Sequence, residues 1–422
     1  MMTYQELGRR LKTAREAIGL TQEQVAQHLK LARVTISQIE SGQRMVNSLE
    51  LDQFAHLYGR DIAGFLRDHP AEQGALAALF RAHPSLAEQH TRQEALSKAF
   101  ALCREYTNLK QLLDLDEERP SPPAYSYPEP RSIWEAIQMG EQIAKDERRR
   151  LELGIDPINR IESVVESQGV PIVEIELDDE ISGIFIADED TGPCILVNKS
   201  HAKGTKVRLM FTIAHEYCHV LLDREKLGTV SKTTNTKDLP EIRANTFAAA
   251  FLMPEEGVRQ FLRSVGKGGE SSRETLLAYT DQVEQDPIRV HHRRLASSQT
   301  LTLYDIVQLH QYFGTSFEAT LYRLKNLKAL TEQEWEHFSG QREQARQIAR
   351  QLRQQQSEDD PPPNHFGLTF LGMAIEAYRR EQITYAKLSH LGEMINLSLV
   401  LDQIMNWMGL ENEAEQMIRI PE

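Results

Sequence analysis

Residues 208–222 constrain the fold more than any other stretch. Leu209, Met210, Phe211, Ile213, Ala214, Tyr217, Cys218, Val220, Leu221 and Leu222 leave the segment apolar almost all round. A helix of that kind is buried. It nevertheless carries His215, Glu216 and His219. Burying them is expensive unless each finds a partner. His215 and His219 are four residues apart and project from one helix face. Two neutral imidazoles at that spacing can share one Zn²⁺, each at about 2.0–2.1 Å. Glu216, next to the first ligand, is placed to act as general base on a water. The competing reading is a structural histidine pair.

A catalytic zinc needs a third protein ligand and one open position. Residues 238–254 supply the candidate. Asp238 and Pro240 favour a helix start and Pro254 a stop. Glu241 and Asn245 share a face of that helix. Ala244, Ala248 and Ala249 are small enough to let it pack closely on the first helix. Glu241 is expected to ligate the metal and Asn245 to orient a ligand histidine. The alternative for Glu241 is an acid favoured by the helix dipole. Asp223, Glu225 and Asp238 are the fallback ligands.

The N-terminal stretch reads differently. Thr21 and Gln24 have capping-box spacing, and Val25, Ala26 and Leu29 give the helix that follows a buried face. After residues 30–32 a second short helix runs over 33–40, with Ile36 and Ile39 inward and Gly42 suited to its C-terminal turn. Two short helices joined by a tight turn fit a helix-turn-helix. The chain has 48 Lys+Arg against 62 Asp+Glu, a net charge of −14, which excludes a general polyanion binder. Residues 1–70 hold 9 Lys+Arg and 8 Asp+Glu. That near-neutral balance is compatible with docking on DNA.

The remaining punctuation sets the domain expectations. At roughly 150 residues per domain, 422 residues imply two to four domains. We expect a helix-turn-helix domain over 1–70 and a helical connecting segment over 71–118. Five prolines within residues 119–130 make 119–131 an extended linker. Short β-like runs then appear around 171–198, and the strand at 192–198 is a candidate edge for pairing with an extended substrate. The metal domain is expected over 132–330. A helical C-terminal region, 331–422, carries a second proline linker at 361–363. No apolar run reaches the roughly 18–20 residues of a membrane span, and the N-terminus lacks the pattern of a secretory signal. Three scattered cysteines, Cys103, Cys194 and Cys218, exclude a disulfide scaffold and point to a reducing cytoplasm. Cys103 has a second reading, as an inhibitory thiolate filling the open zinc position. The competing reading is a small buried hydrophobe.

Over residues 4–66 the sequence resembles the phage-repressor (XRE) type of helix-turn-helix, through Ala14-Arg15, Leu20-Thr21-Gln22 and the run from Thr35 to Gly42. The resemblance implies that Arg33, Val34 and Gln38 face DNA bases. It implies that Gln22, Thr35 and Arg44 contact phosphates, and that Arg15 and Glu40 form a structural ion pair. Over roughly 150–330 the chain resembles the ImmA/IrrE family of zinc metallopeptidases. Residues 192–198, Phe211 to His219, Glu241 to Asn245, Phe247-Ala248 and Leu252-Met253-Pro254 carry that resemblance. It departs at Arg243, where many members carry a second acid, and at Tyr217-Cys218, where Leu-Gly is more usual. The implied fold class is mainly α: an all-α helix-turn-helix domain and a small gluzincin-like α+β domain. The implied function is Zn²⁺-dependent cleavage of a partner helix-turn-helix repressor, releasing stress, phage-related or antiphage-defence genes. Two other readings compete: a DNA-binding regulator whose metal domain senses a ligand or partner without proteolysis, and an antitoxin-like regulator.

Lesser features complete the reading. Residues 304–324 read as helix, turn, helix, either a packing unit of the metal domain or a second nucleic-acid module. Tyr279, His291 and His292 are candidate oxyanion stabilisers, against a solvated surface patch. Arg342, Arg346, Arg350 and Arg353 recur at helical spacing as a solvated face.

Overall fold

The computed structural model describes residues 3–17, 20–58, 62–66, 75–83, 86, 90–115, 122–188, 191–202, 206–224, 228–232, 238–267, 274–278, 288–292, 300–353 and 365–407. The chain starts with five short helices, α1 (Tyr4–Ala17), α2 (Gln22–His28), α3 (Arg33–Glu40), α4 (Ser48–Tyr58) and α5 (Ile62–Leu66). Thr21 caps α2 in a full capping box with Gln24. Lys30 turns the chain into α3 at a φ of 52°, which fixes the angle between the two helices. Val25, Ile36 and Ile39 are buried beneath them. Gly8 of α1 lies against the end of α3, where a Cβ would sit 2.4 Å from the Ile39 carbonyl. Only glycine allows that approach.

Helices α6 (Ala75–Ala82) and α7 (His90–Leu112) follow. The proline-rich stretch is extended through 122–130, and it is held in place. The Tyr125 N–H donates to the Leu221 carbonyl at 2.8 Å, and Arg224 donates to the Pro122 carbonyl at 2.5 Å. Next come α8 (Ile133–Arg150), capped by Ser132, and α9 (Ile161–Ser167). Strands β1 (Ile172–Ile175), β2 (Ile181–Asp188) and β3 (Gly192–Asn198), helices α10 (Lys199–Ala202) and α11 (Lys206–Leu222), and strand β4 (Gly228–Lys232) complete the sheet region. The strand order is β1-β3-β2-β4, with β1 parallel to β3 and the other pairs antiparallel. Side chains alternate across the sheet. Ile184, Ile186, Cys194 and Leu196 join the apolar core with α6 and α7, while Gly183 meets Glu216 of α11 on the other face.

The Gly192–Asn198 strand, expected at an edge, is not one: β3 pairs with β1 on one side and β2 on the other. Cys194, Ile195, Leu196 and Val197 are all buried. A strand apolar at consecutive positions is buried on both faces and belongs inside a sheet. The edges of this sheet are β1 and β4.

The chain continues through α12 (Leu239–Leu252), α13 (Glu255–Ser264) and a hairpin of β5 (Glu274–Ala278) and β6 (Ile288–His292). Helices α14 (Leu303–Phe313), α15 (Phe317–Asn326), α16 (Glu332–Ser339) and α17 (Arg342–Arg353) follow, then α18 (His365–Arg379), α19 (Tyr385–Met394) and α20 (Ser398–Trp407). Contacts divide the chain into two units that do not follow sequence order. The first comprises Met1–Glu129, Arg160–Thr236 and Pro361–Glu422; the second comprises Pro130–Asn159 and Lys237–Asp360. In the first, α18 packs on α7, so the C-terminal helices share the core of the N-terminal ones. In the second, α8 and α12 pack along their length. Gly140 lies so close to α12 that a Cβ would sit 2.6 Å from the Arg243 carbonyl. The α14–α15 pair is a packing unit, turned at Gly314 in the left-handed region. Its Ile306, Phe313 and Leu324 are buried with Met253.

Candidate metal centre

The centre begins with α11. From Thr212 to Leu221 every residue is buried, including His215, Glu216 and His219. The two imidazoles lie one turn apart in an edge-to-face arrangement, and their Nε2 atoms lie 3.3 Å apart. Nδ1 of His219 lies 2.8 Å from Oδ2 of Asp223. A carboxylate only accepts, so the His219 Nδ1–H donates to Asp223 and the Nε2 lone pair faces His215. The sequence offers Asp223 as a fallback ligand; its contact instead orients a histidine. Carboxylate partners of this kind fix the tautomer and ring angle of metal-binding histidines.

The third group arrives on α12. Glu241 is buried, and one of its carboxylate oxygens joins a nitrogen from each histidine, all three atoms within 4.8 Å of one another. The donor set fits a divalent metal. Two nitrogens each about 2.0–2.1 Å from a tetrahedral ion would lie about 3.3–3.4 Å apart, the edge of the tetrahedron. Two imidazoles and a carboxylate also leave a fourth position for another ligand.

Glu216 has its own seat. It is fully buried, and its carboxylate lies on the backbone of β2 at Gly183. A Cβ at residue 183 would sit 2.6 Å from Oε1. Gly183 was not recognised from the sequence as part of the site. The available signal was a glycine inside a strand, which often marks a close approach.

Other predicted residues take these positions. Asn245 lies one turn beyond Glu241 and is exposed. Asp238 is the exposed residue that opens α12. The inhibitory-thiolate reading of Cys103 is not met: the residue is wholly buried in α7 in the same apolar core as Phe100, Leu102 and Tyr106, and among the described residues the clustered metal-binding groups are His215, His219 and Glu241. A thiol packed in an apolar core behaves as a small hydrophobe. His291 and His292 lie on β6. Glu225, Tyr279 and the proline linker at 361–363 lie outside the described residues.

In the helix-turn-helix, Arg33, Val34 and Gln38 are exposed on α3 and Thr35 is half-buried. Gln22 donates to Glu40 at 2.9 Å, and Arg44 donates to Glu50 at 2.8 Å. The Arg15–Glu40 pair is present. Nε and Nη2 of Arg15 donate to the two carboxylate oxygens at 2.6 and 3.0 Å, and Nη1 donates to the Leu20 carbonyl at 2.7 Å. The Glu40 carboxylate holds the Arg15 guanidinium above its ordinary range.

Comparison with known families assigns both regions. Residues 165–279 match the IrrE N-terminal-like domain, and residues 6–86 match a helix-turn-helix domain. No curated protein matches the chain. The first match contains His215, Glu216, His219 and Glu241; the second runs from within α1 through α6. The chain therefore joins a helix-turn-helix domain to an IrrE-like peptidase domain, the combination its motifs implied.

Proposed function

We propose that this chain is a zinc-dependent peptidase joined to a DNA-binding domain, and that its substrate is a partner helix-turn-helix repressor. The observation that carries the reading is the buried His215–His219–Glu241 cluster, with a buried carboxylate, Glu216, next to the first ligand. Zinc, when bound, supplies Lewis acidity to the scissile carbonyl. The protein supplies the rest. His215, His219 and Glu241 would hold the ion, and Asp223 keeps the His219 ring turned toward it. The Glu216 carboxylate would take a proton from the attacking water and pass it to the leaving amine. Its burial against β2 keeps that carboxylate in one position.

The helix-turn-helix supports the choice of substrate. It would bring the peptidase to a promoter, where a repressor is bound. Cleavage there would release stress, phage-related or defence genes in a cytoplasmic setting. The test is coexpression with a helix-turn-helix repressor taken from the genes that flank this one. Wild type should cleave the repressor and turn on its promoter under an inducing signal. Glu216→Gln should keep its zinc and leave the repressor whole and the promoter silent. A promoter that turns on with Glu216→Gln, over an intact repressor, would replace proteolysis with the sensor-regulator reading.

A further inference from the structure

A cavity of about 610 Å³ opens in the second unit, among α8, the α12–α13 corner and the end of α15. Small-molecule sites span roughly 300–1,000 Å³. Lys145, Arg148, Arg149, Arg259, Arg323 and Lys328 line it, against three acidic side chains. This surplus of positive charge sits in a chain of net charge −14. Such a concavity concentrates anions. Ile137, Ile155 and Leu327 add an apolar wall.

The rim and the floor differ. At the rim, Lys145 pairs with Glu256 at 3.4 Å and Arg259 with Glu255 at 2.7 Å, all four side chains well exposed. Pairs of that kind contribute little, so an incoming anion can exchange for the glutamates. At the floor, Arg148 is 4% exposed and Arg323 1%. Arg148 donates to the carbonyls of Phe251, Asp156 and Gly154, at 2.6, 2.7 and 3.0 Å. Burial pulls its guanidinium down to about 10, because carbonyl dipoles replace only part of the lost hydration. Arg323 donates to the Met253 carbonyl at 2.8 Å and pairs with Glu141.

We propose that this cavity binds a phosphate-bearing small molecule with an apolar body, and that α12 reads its occupancy. Phe251 and Met253 belong to the last turn and the cap of α12. The two buried guanidiniums therefore hold one end of the helix whose first turn carries Glu241. An anion that draws on either guanidinium alters how α12 is held. The coupling rests on Glu241 being a metal ligand, as proposed above; the binding site does not.

The test uses the full chain, with AMP as probe and adenosine and inorganic phosphate as controls, read by calorimetry and thermal melting. AMP should bind and raise the melting temperature, and adenosine should do neither. Inorganic phosphate, which lacks the apolar body, should bind at least tenfold more weakly than AMP. Lys145→Glu/Lys328→Glu changes two exposed rim residues. It should keep the wild-type circular dichroism and bind AMP at least tenfold more weakly. Absence of AMP binding, adenosine binding as tightly as AMP, or undiminished affinity in the double variant would overturn the site. Zinc affinity, measured by chelator competition, should change at least threefold when AMP is saturating, since coupling between two sites is reciprocal. An unchanged zinc affinity would overturn the coupling alone. Failure to bind zinc at all would remove the metal reading while AMP binding still reports on the cavity.

Discussion

Asp223 is where a single side chain decides the most. Its carboxylate takes the Nδ1–H of His219, which leaves Nε2 as the only nitrogen of that ring able to ligate. Asp223→Ala should lower metal affinity by about 10–100-fold, the usual cost of removing such a partner. Asp223→Asn, whose carbonyl oxygen still accepts, should recover part of the loss. Chelator competition measures both; equal affinities in wild type and Asp223→Ala would reduce Asp223 to packing. The same contrast between exposed and buried polar groups holds in the helix-turn-helix. Arg15 is buried and committed to Glu40, whereas Arg33 is exposed at the start of α3. If Arg33 reads a base edge, Arg33→Ala should cost about 1–3 kcal/mol of operator binding and relax the preference at one base pair. Unchanged affinity and preference would mean that α3 faces something other than bases.

At the scale of elements, legibility followed how local each cause was. The α11 and α12 helices and their ligands were readable because periodicity and caps operate within a few residues. The capping box at Thr21 was readable for the same reason. Strand β3 was not placed correctly, although its clue was present: apolar residues at consecutive positions from Cys194 to Val197 mean burial on both faces. Asn198 read only as a strand boundary, yet it organises the sheet. Its amide donates to the carbonyls of Leu177, Asp178 and Ile181 at 3.1, 2.8 and 2.8 Å, and its oxygen accepts from the Leu177 and Ser200 N–H groups. These partners lie up to 21 residues away in sequence, beyond the reach of any local pattern. Asn198→Ala would leave several of them buried and unmet, at about 1–3 kcal/mol for such a group. A fall in denaturation midpoint of that size checks it. A change below about 0.5 kcal/mol, typical of surface substitutions, would mean that water replaces the amide.

For the molecule as a whole, the least legible fact is how its first unit is assembled. Sequence order separates residues 1–70, the sheet and the C-terminal helices. One apolar cluster contains all three together with α7: Leu11 and Phe54 of the helix-turn-helix, Leu96 and Phe100 of α7, Ile184 and Leu196 of the sheet, Phe370 and Leu391 of the C-terminal helices. Elements that share a core without polar breaks tend to open together. The Tyr106, Phe366 and Phe370 rings join α7 to α18, with centroids 6.1 and 5.6 Å apart along the row. Phe370 has no exposed surface. Phe370→Ala should therefore destabilise the unit by about 3–5 kcal/mol, the usual range for a buried phenylalanine. The effect should also spread. Native-state hydrogen exchange should rise in α18 and α7, and equally in the sheet and in α2 and α3, because the most protected amides exchange through one shared opening. A rise confined to α18–α20 would show that the C-terminal helices come away alone. The helix-turn-helix would then hold its fold without them, and the shared core would be contact without cooperativity.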